Sequence, residues 1–331
     1  MPHLPPPLAS LRLPLVAAPM FIVSGPELVI AQCKAGIVGS FPALNARDED
    51  DESPTMLDRW LARITEELDR HNQANPDKPA APFAVNQIVH RSNERLMRDV
   101  EICARWKVPL WITSLGARPE VNEAAHSAGG FVMHDVINNT FARKAIEKGA
   151  DGLIAVSAGA GGHAGPQSPF ALVSEIRDWF DGPLLLSGSI STGRALLAAR
   201  VLGADLGYAG SPFIATQEAR ADADYKYMIA NSGAEDIVTS SVFTGISGNY
   251  LKPSIARAGM DPNDLPKEET KMSFEDGSSK PKAWKDIWGS GQGIGAIRDV
   301  VPVAERVDRF EQEYRAACAD TARLINNERT T

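Results

Sequence analysis

Residues 152–165 read GLIAVSAGAGGHAG, a short apolar run that passes into glycine and alanine broken by one ionisable side chain, His163. Two folds compete for this stretch. Gly159, Gly161 and Ala164 match the spacing of the dinucleotide fingerprint G-x-G-x-x-G/A, and Asp181 lies about twenty residues on. That fingerprint needs a helix to begin inside the motif. Here Pro166 and Pro169 delay the helix, and Asp181 precedes the next apolar run rather than ending it. The other reading is a buried strand whose carboxyl end presents an imidazole. Glycines at such a place let the backbone pass close to a flat ligand, and imidazole exchanges protons near neutral pH.

Working outward, similar apolar runs occupy 13–19, 36–40, 83–89, 109–114, 131–136, 183–189 and 206–211. Between them lie stretches with apolar residues at three and four spacing, among them MLDRWLARITEELDRH, ERLMRDVEICARW, NTFARKAIEKGA, SPFALVSEIRDWF and GRALLAARVLGA. Near-continuous apolar strands alternating with helices predict a parallel sheet covered on both faces. Eight such units point to an α/β fold, a (β/α)8 TIM barrel, with an open doubly wound sheet as the alternative. The rhythm stops near residue 230. Residues 1–230 are therefore expected to form the barrel. Residues 231–295, rich in Gly, Pro and charge, are expected to form an insert over its mouth, and 296–331 a long helix packed on the barrel with a frayed, charged tail.

Composition narrows the partners. With 44% hydrophobic and 23% charged residues the 331-residue chain has the makings of a full core. A net charge of -8 gives no electrostatic reason to approach nucleic acid or an anionic membrane. Cys33, Cys103 and Cys318 lack paired spacing, so free thiols and no metal site are expected. The opening MPHLPPPLASLRLPLVAAPM lacks the pattern of a signal peptide, and no apolar run has the length of a membrane span, which together predict a cytoplasmic protein.

In a barrel, chemistry belongs at the carboxyl ends of the strands. Two of these ends look alike, LLLSGSISTG at 184–193 and GYAGSPFIAT at 207–216. Each runs from a strand into a Gly-Ser pair and a helix start, at the two positions where barrels often bind phosphate. Gly188, Ser189, Gly210 and Ser211 are thus candidates for a phosphate cradle; the competing reading is a pair of tight turns capped by Ser191 or Thr192. His134 and His90 also stand near strand ends, and His134 can equally be satisfied by a backbone carbonyl.

AGAGGHAG and the two Gly-Ser loops, together with PLVAAPM at 14–20, FAVN at 83–86 and IWGSGQG at 287–293, resemble the nitronate monooxygenase family, formerly called 2-nitropropane dioxygenases. The likeness runs from 13 to about 220 and resumes near 285. Members are FMN-dependent barrels related to flavin-dependent reductases of quinones and enoyl thioesters. The resemblance implies that Ala18, Pro19 and Met20 lie against the flavin ring with Asn86 nearby, and that Gly161 and Gly162 border it. It puts the phosphate on Gly188, Ser189, Gly210 and Ser211, makes His163 the catalytic base, and has Ser290, Gly291 and Gln292 closing over the flavin. Trp288 reads as core.

The implied reaction oxidises a small nitronate or nitroalkane with O2. On the same fold, NAD(P)H could instead reduce FMN for a quinone or thioester, with Lys252, Lys267, Lys271, Lys280, Lys282 and Lys285 of the insert meeting phosphates unless they are simply solvated. A flavin-free binding barrel is the third reading. The chain departs from the family by lacking Gln and Glu before Gly-Gly-His, and by having Asp135 and Pro212 where relatives carry Lys and Arg. Lys144 is a candidate to compensate.

Overall fold

A computed structural model describes residues 4–48, 53–265 and 285–328. All eight predicted apolar runs are strands, in chain order β1 (Leu15–Ala17), β2 (Gly39–Pro42), β3 (Phe83–Ile88), β4 (Leu110–Ser114), β5 (Phe131–Val136), β6 (Gly152–Val156), then, after a two-residue β7 (Gly162–His163), β8 (Leu184–Ser187) and β9 (Leu206–Ala209). The eight pair in parallel in the order β1-β9-β8-β6-β5-β4-β3-β2. A bridge between Val16 and Val38 closes the ring, with the Ala17 amide donating to Val38 O at 2.8 Å. The fold is a (β/α)8 barrel.

Helices α1 (Pro6–Ala9), α2 (Pro26–Lys34), α3 (Met56–Ala74), α4 (Leu96–Arg105), α5 (Pro119–Ser127), α6 (Asn139–Glu147), α7 (Pro169–Arg177), α8 (Gly193–Leu202), α9 (Ser211–Ile214) and α10 (Ala223–Asn231) accompany the strands. Their starts carry sequence signals: Thr55 and Asp58 form a reciprocal capping box on α3, Asn138 caps α6, and Thr192 caps α8. Alternate strand residues point two ways, as the pleat requires. Val16, Val38, Ala84, Ile112, Met133, Ile154 and Leu185 fill the barrel interior, and Leu8 of α1 packs into the same cluster. Their neighbours face the helices, and each such fully buried aliphatic side chain stabilises the fold by roughly 1.5–3 kcal/mol.

The insert is not a plain loop. Its strands β10 (Ile237–Ser240) and β11 (Gly248–Leu251) form an antiparallel sheet with β7, followed by α11 (Lys252–Arg257). Four of the insert lysines singled out above, Lys267, Lys271, Lys280 and Lys282, lie outside the described residues. The terminal helix α12 (Val303–Glu328) begins later than 296, because Pro302 disfavours a helical residue before it and Val301 pairs with Thr216 instead. It packs on the barrel: Phe310 stacks on Phe213 at 6.4 Å, and Gly193 sits so close that an added Cβ would fall 2.2 Å from Phe310 O.

Cys33 and Cys103 are buried free thiols, and Cys318 is a half-buried one. Among the described residues no helix is long and apolar enough to cross a membrane, and no group of His, Cys, Asp and Glu is placed to hold a metal ion.

Candidate active site

The carboxyl ends of the strands open into one cavity of about 840 Å³, within the range typical of small-molecule sites. Ala18, Pro19, Met20, Asn86, Gly161, Gly162, His163, Gly188, Ser189, Gly210, Ser211, Ser290 and Gly291 all line it. Gln292 is the exception among the predicted residues. Its side chain is exposed and only its backbone participates, donating to Gly159 O at 3.1 Å.

Several glycines serve backbone packing. A Cβ on Gly161 would lie 2.6 Å from Gly291 N, one on Gly291 would lie 2.9 Å from Gly159 O, and one on Gly293 would lie 2.8 Å from Ser189 O. The segment 289–293 is thus wedged backbone to backbone between the loops after β6 and β8. Ser211 secures it, its hydroxyl accepting from Gly291 N at 2.9 Å and from Ser290 Oγ at 3.1 Å. A second clamp comes from the insert: fully buried Asn249 on β11 donates to Ala158 O at 2.8 Å and to Ala160 O at 2.7 Å. On the opposite wall Asn45 staples the turn that carries Met20, donating to Met20 O and Ser24 O.

His163 reaches the cavity from β7, which pairs with β11. Its Nε2 lies 3.3 Å from Thr244 Oγ1 of the insert. Burial pulls its pKa down to about 4, so the ring is neutral at neutral pH and can accept a proton. His134 bonds to the Thr113 hydroxyl at 2.5 Å rather than to a carbonyl, and burial, then Lys148, lower its pKa to about 4 as well. His90 is tied to Ser92 Oγ at 2.7 Å.

Asp135 is the unexpected charge-bearing group. Its Oδ2 accepts from Ser114 Oγ at 2.7 Å, and Ser114 Oγ accepts from Asn86 Nδ2 at 2.8 Å, which links β5, β4 and β3 at the cavity floor. Its Oδ1 is buried with no hydrogen-bond partner, and burial lifts its pKa to about 6. Burial and the neighbouring Asp135 push the Tyr208 hydroxyl well above its ordinary range. Lys144 and Lys148 line the cavity from the α6 side, two and three strands from the two Gly-Ser loops, where Pro212 supplies no cation.

The two Gly-Ser loops are not equivalent. Glu313 of α12 already takes the Gly193 amide at 2.7 Å and Thr192 caps the same helix, so α8 does not turn its first amides to the cavity. The Gly188–Ser189 turn, with φ of +146° and +56°, and the Gly210–Ser211 turn do line it. Trp288 is core as expected, 2% exposed and stacked on Tyr225 at 4.7 Å.

Asn249, Thr244 and Asn45 carried no sequence signal, since each acts through a contact with a segment distant in the chain. Asp135 stood out only as a departure from a family pattern.

Comparisons with known proteins bear on the family and the fold. A (3aS,4S,5R,7aS)-5-hydroxy-7a-methyl-1-oxo-octahydro-1H-indene-4-carboxyl-CoA dehydrogenase of Rhodococcus jostii is 25% identical over 251 residues, which cover 76% of this chain and 66% of that protein. A nitronate monooxygenase of Neurospora crassa is 28% identical over 335 residues, 91% of this chain and 89% of that one. The structure of FabK from Thermotoga maritima superposes with a TM-score of 0.73 at 22% identity, covering 96% of this chain and 97% of its own. The family described as nitronate monooxygenase matches residues 7–313. With its barrel, histidine-bearing loop and late glycine segment all inside that span, the chain belongs to the nitronate monooxygenase family.

Proposed function

We propose that this protein is an FMN-dependent oxidoreductase that converts alkyl nitronates or nitroalkanes, with O2, to a carbonyl compound and nitrite. The observation that carries the reading is a half-buried imidazole, His163, that lines a cavity whose other walls are largely apolar and that burial of the ring holds neutral. FMN fits the residues present. Ala18, Pro19 and Met20 offer a flat apolar wall, the Gly188–Ser189 and Gly210–Ser211 turns offer hydroxyls and, apart from the Ser189 amide that already donates to Gly159 O, backbone amides to a phosphate, and the buried Asp135 Oδ1 is an acceptor open to a ligand N–H. When bound, the flavin supplies the electron transfer and the oxygen chemistry. The protein's own part is to hold the carbon acid, exclude water and take its proton on His163. We take residues 1–230 as the cofactor-binding unit, 231–295 as the wall and lid, and 296–331 as the packed tail.

A second reading has NAD(P)H reducing the flavin for a quinone or an acyl thioester. What favours it is one side of the cavity, where Phe141 and Lys144 of α6 are joined by Lys148 at its C-cap, whose ammonium also donates to Ala117 O, and where Phe141 is 49% exposed, a surface suited to a longer, anionic substrate. The CoA-ester activity in the name of the Rhodococcus relative points the same way.

An anaerobic titration of the purified yellow protein separates the two. Loss of the oxidised flavin band with alkyl nitronate but not with NADH or NADPH supports the oxidase reading, and His163→Ala should then lower turnover of a neutral nitroalkane by about 10²–10⁴-fold. Rapid bleaching by a nicotinamide alone would replace it with the reductase.

A further inference from the structure

A buried carboxyl is ordinarily answered by a cation or a metal. Asp135 lines the cavity at the carboxyl end of β5, and among the described residues only burial and one neutral hydrogen bond act on its ionisation. That bond ends a fixed chain. Asn86 Nδ2 donates to Ile112 O at 3.2 Å and to Ser114 Oγ at 2.8 Å, and Ser114 Oγ donates to Asp135 Oδ2 at 2.7 Å. The contacts hold the carboxyl in place without neutralising it, and Oδ1 has no partner. The groups around it leave its charge unanswered. His134 on the same strand and His163 on β7 are held neutral by burial, and the Tyr208 hydroxyl on β9 stays protonated. Of the flanking strands, β4 presents Ser114 and β6 pairs Ile154 with it. Lys144 and Lys148 line the cavity from α6 and its C-cap, with Lys148 Nζ donating to Ala117 O at 2.8 Å, and His90 stands after β3 against Ser92.

We infer that Asp135 sets the reduction potential of the bound flavin through its charge, so that the cofactor is harder to reduce when this carboxyl is ionised than when it is protonated. The inference rests on the flavin reading of the cavity. Two electrons and one solvent proton added to a neutral oxidised flavin leave one negative charge on the ring. A carboxylate in the same cavity of about 840 Å³ lies within the screening length of physiological salt, and a buried pair is screened less still, so the two charges repel. The electrons come from the substrate or a nicotinamide, and Asp135 neither gives nor takes any. Its part is a proton: once protonated it carries no charge and the repulsion vanishes. Burial places that change at a pKa of about 6, and a negative ring nearby raises it, so reduction near neutral pH draws a proton from solvent onto the carboxyl.

The test equilibrates the FMN-loaded wild type, Asp135→Asn and Asp135→Ala with a reference dye of known potential at about pH 5 and about pH 8, on either side of the Asp135 titration. His90 and the two lysines are common to all three proteins, so only the difference between them is read. At the higher pH both variants should favour the reduced flavin over the wild type by at least about tenfold, which is about 30 mV for a two-electron couple. At the lower pH they should match it. Proton uptake on photoreduction near neutral pH, followed with an indicator dye, should be larger in the wild type than in either variant. Coincidence of the three potentials at the higher pH, a lower potential in the variants, or one equal shift at both pH values, as a change of packing alone gives, overturns the inference. A wild-type protein that leaves FMN fluorescence unquenched on titration would instead overturn the flavin reading itself.

Discussion

Asp135 and His163 line one cavity, and burial moves both toward the neutral form, the carboxyl up to about 6 and the imidazole down to about 4. For Asp135 this has a consequence for stability with a definite sign. The folded chain retains a proton that the unfolded chain has released, so the contribution is fully present below about pH 4 and is lost as pH rises through about 6. Above that, the buried carboxylate destabilises the fold. Asp135→Asn keeps the shape and an acceptor for Ser114, so in flavin-depleted protein it should add about 1–3 kcal/mol of stability near pH 8 and nothing near pH 4. Thermal melts at the two pH values check this, and an equal gain at both would refute the assignment. His163 shows how far a single residue was legible: its type and its place after an apolar run marked it as a candidate proton-transfer group, and it does line the cavity. Its partner Thr244, a residue 81 positions on, could not be found from local pattern.

At the level of elements, Asn249 on β11 is where the insert grips the barrel. Asn249→Ala removes both bonds to the Ala158 and Ala160 carbonyls and leaves those buried acceptors unpaired, at a cost of about 1–3 kcal/mol. Amide hydrogen exchange across residues 158–163 should quicken while β3 to β5 keep their protection, and unchanged exchange in the loop would mean that the clamp lies elsewhere. The eight barrel strands were legible because each is a run of residues buried on both faces, as in Val132, Met133, Leu153 and Ile154, and such runs announce themselves without their neighbours. IVTS at β10 and GNYL at β11 did not, being short, partly polar and held in place by the segment around Gly162. For the same reason the start of α12 was placed too early: Pro302 is visible in sequence, whereas the bridge from Val301 to Thr216 that keeps the preceding residues extended is not.

At the scale of the whole molecule, α12 is part of the barrel's outer layer. Phe310, 1% exposed and stacked on Phe213, joins the large cluster that includes Leu196, Leu186 and Val173, so Phe310→Ala should cost about 3–5 kcal/mol. A urea titration should show a lower midpoint with an unchanged slope, and a midpoint equal to the wild type would mean that the helix is dispensable. The wedging of residues 289–293 between loops that follow β6 and β8 bears on how the protein is made. A nascent chain emerging from the ribosome completes all eight strands, and exposes His163, long before Asn249 and Gly291 are synthesised. Until they arrive the chain has its eight strands but neither the segment that walls the pocket nor the helix that covers the barrel, so pocket and outer layer are completed together at the end of translation.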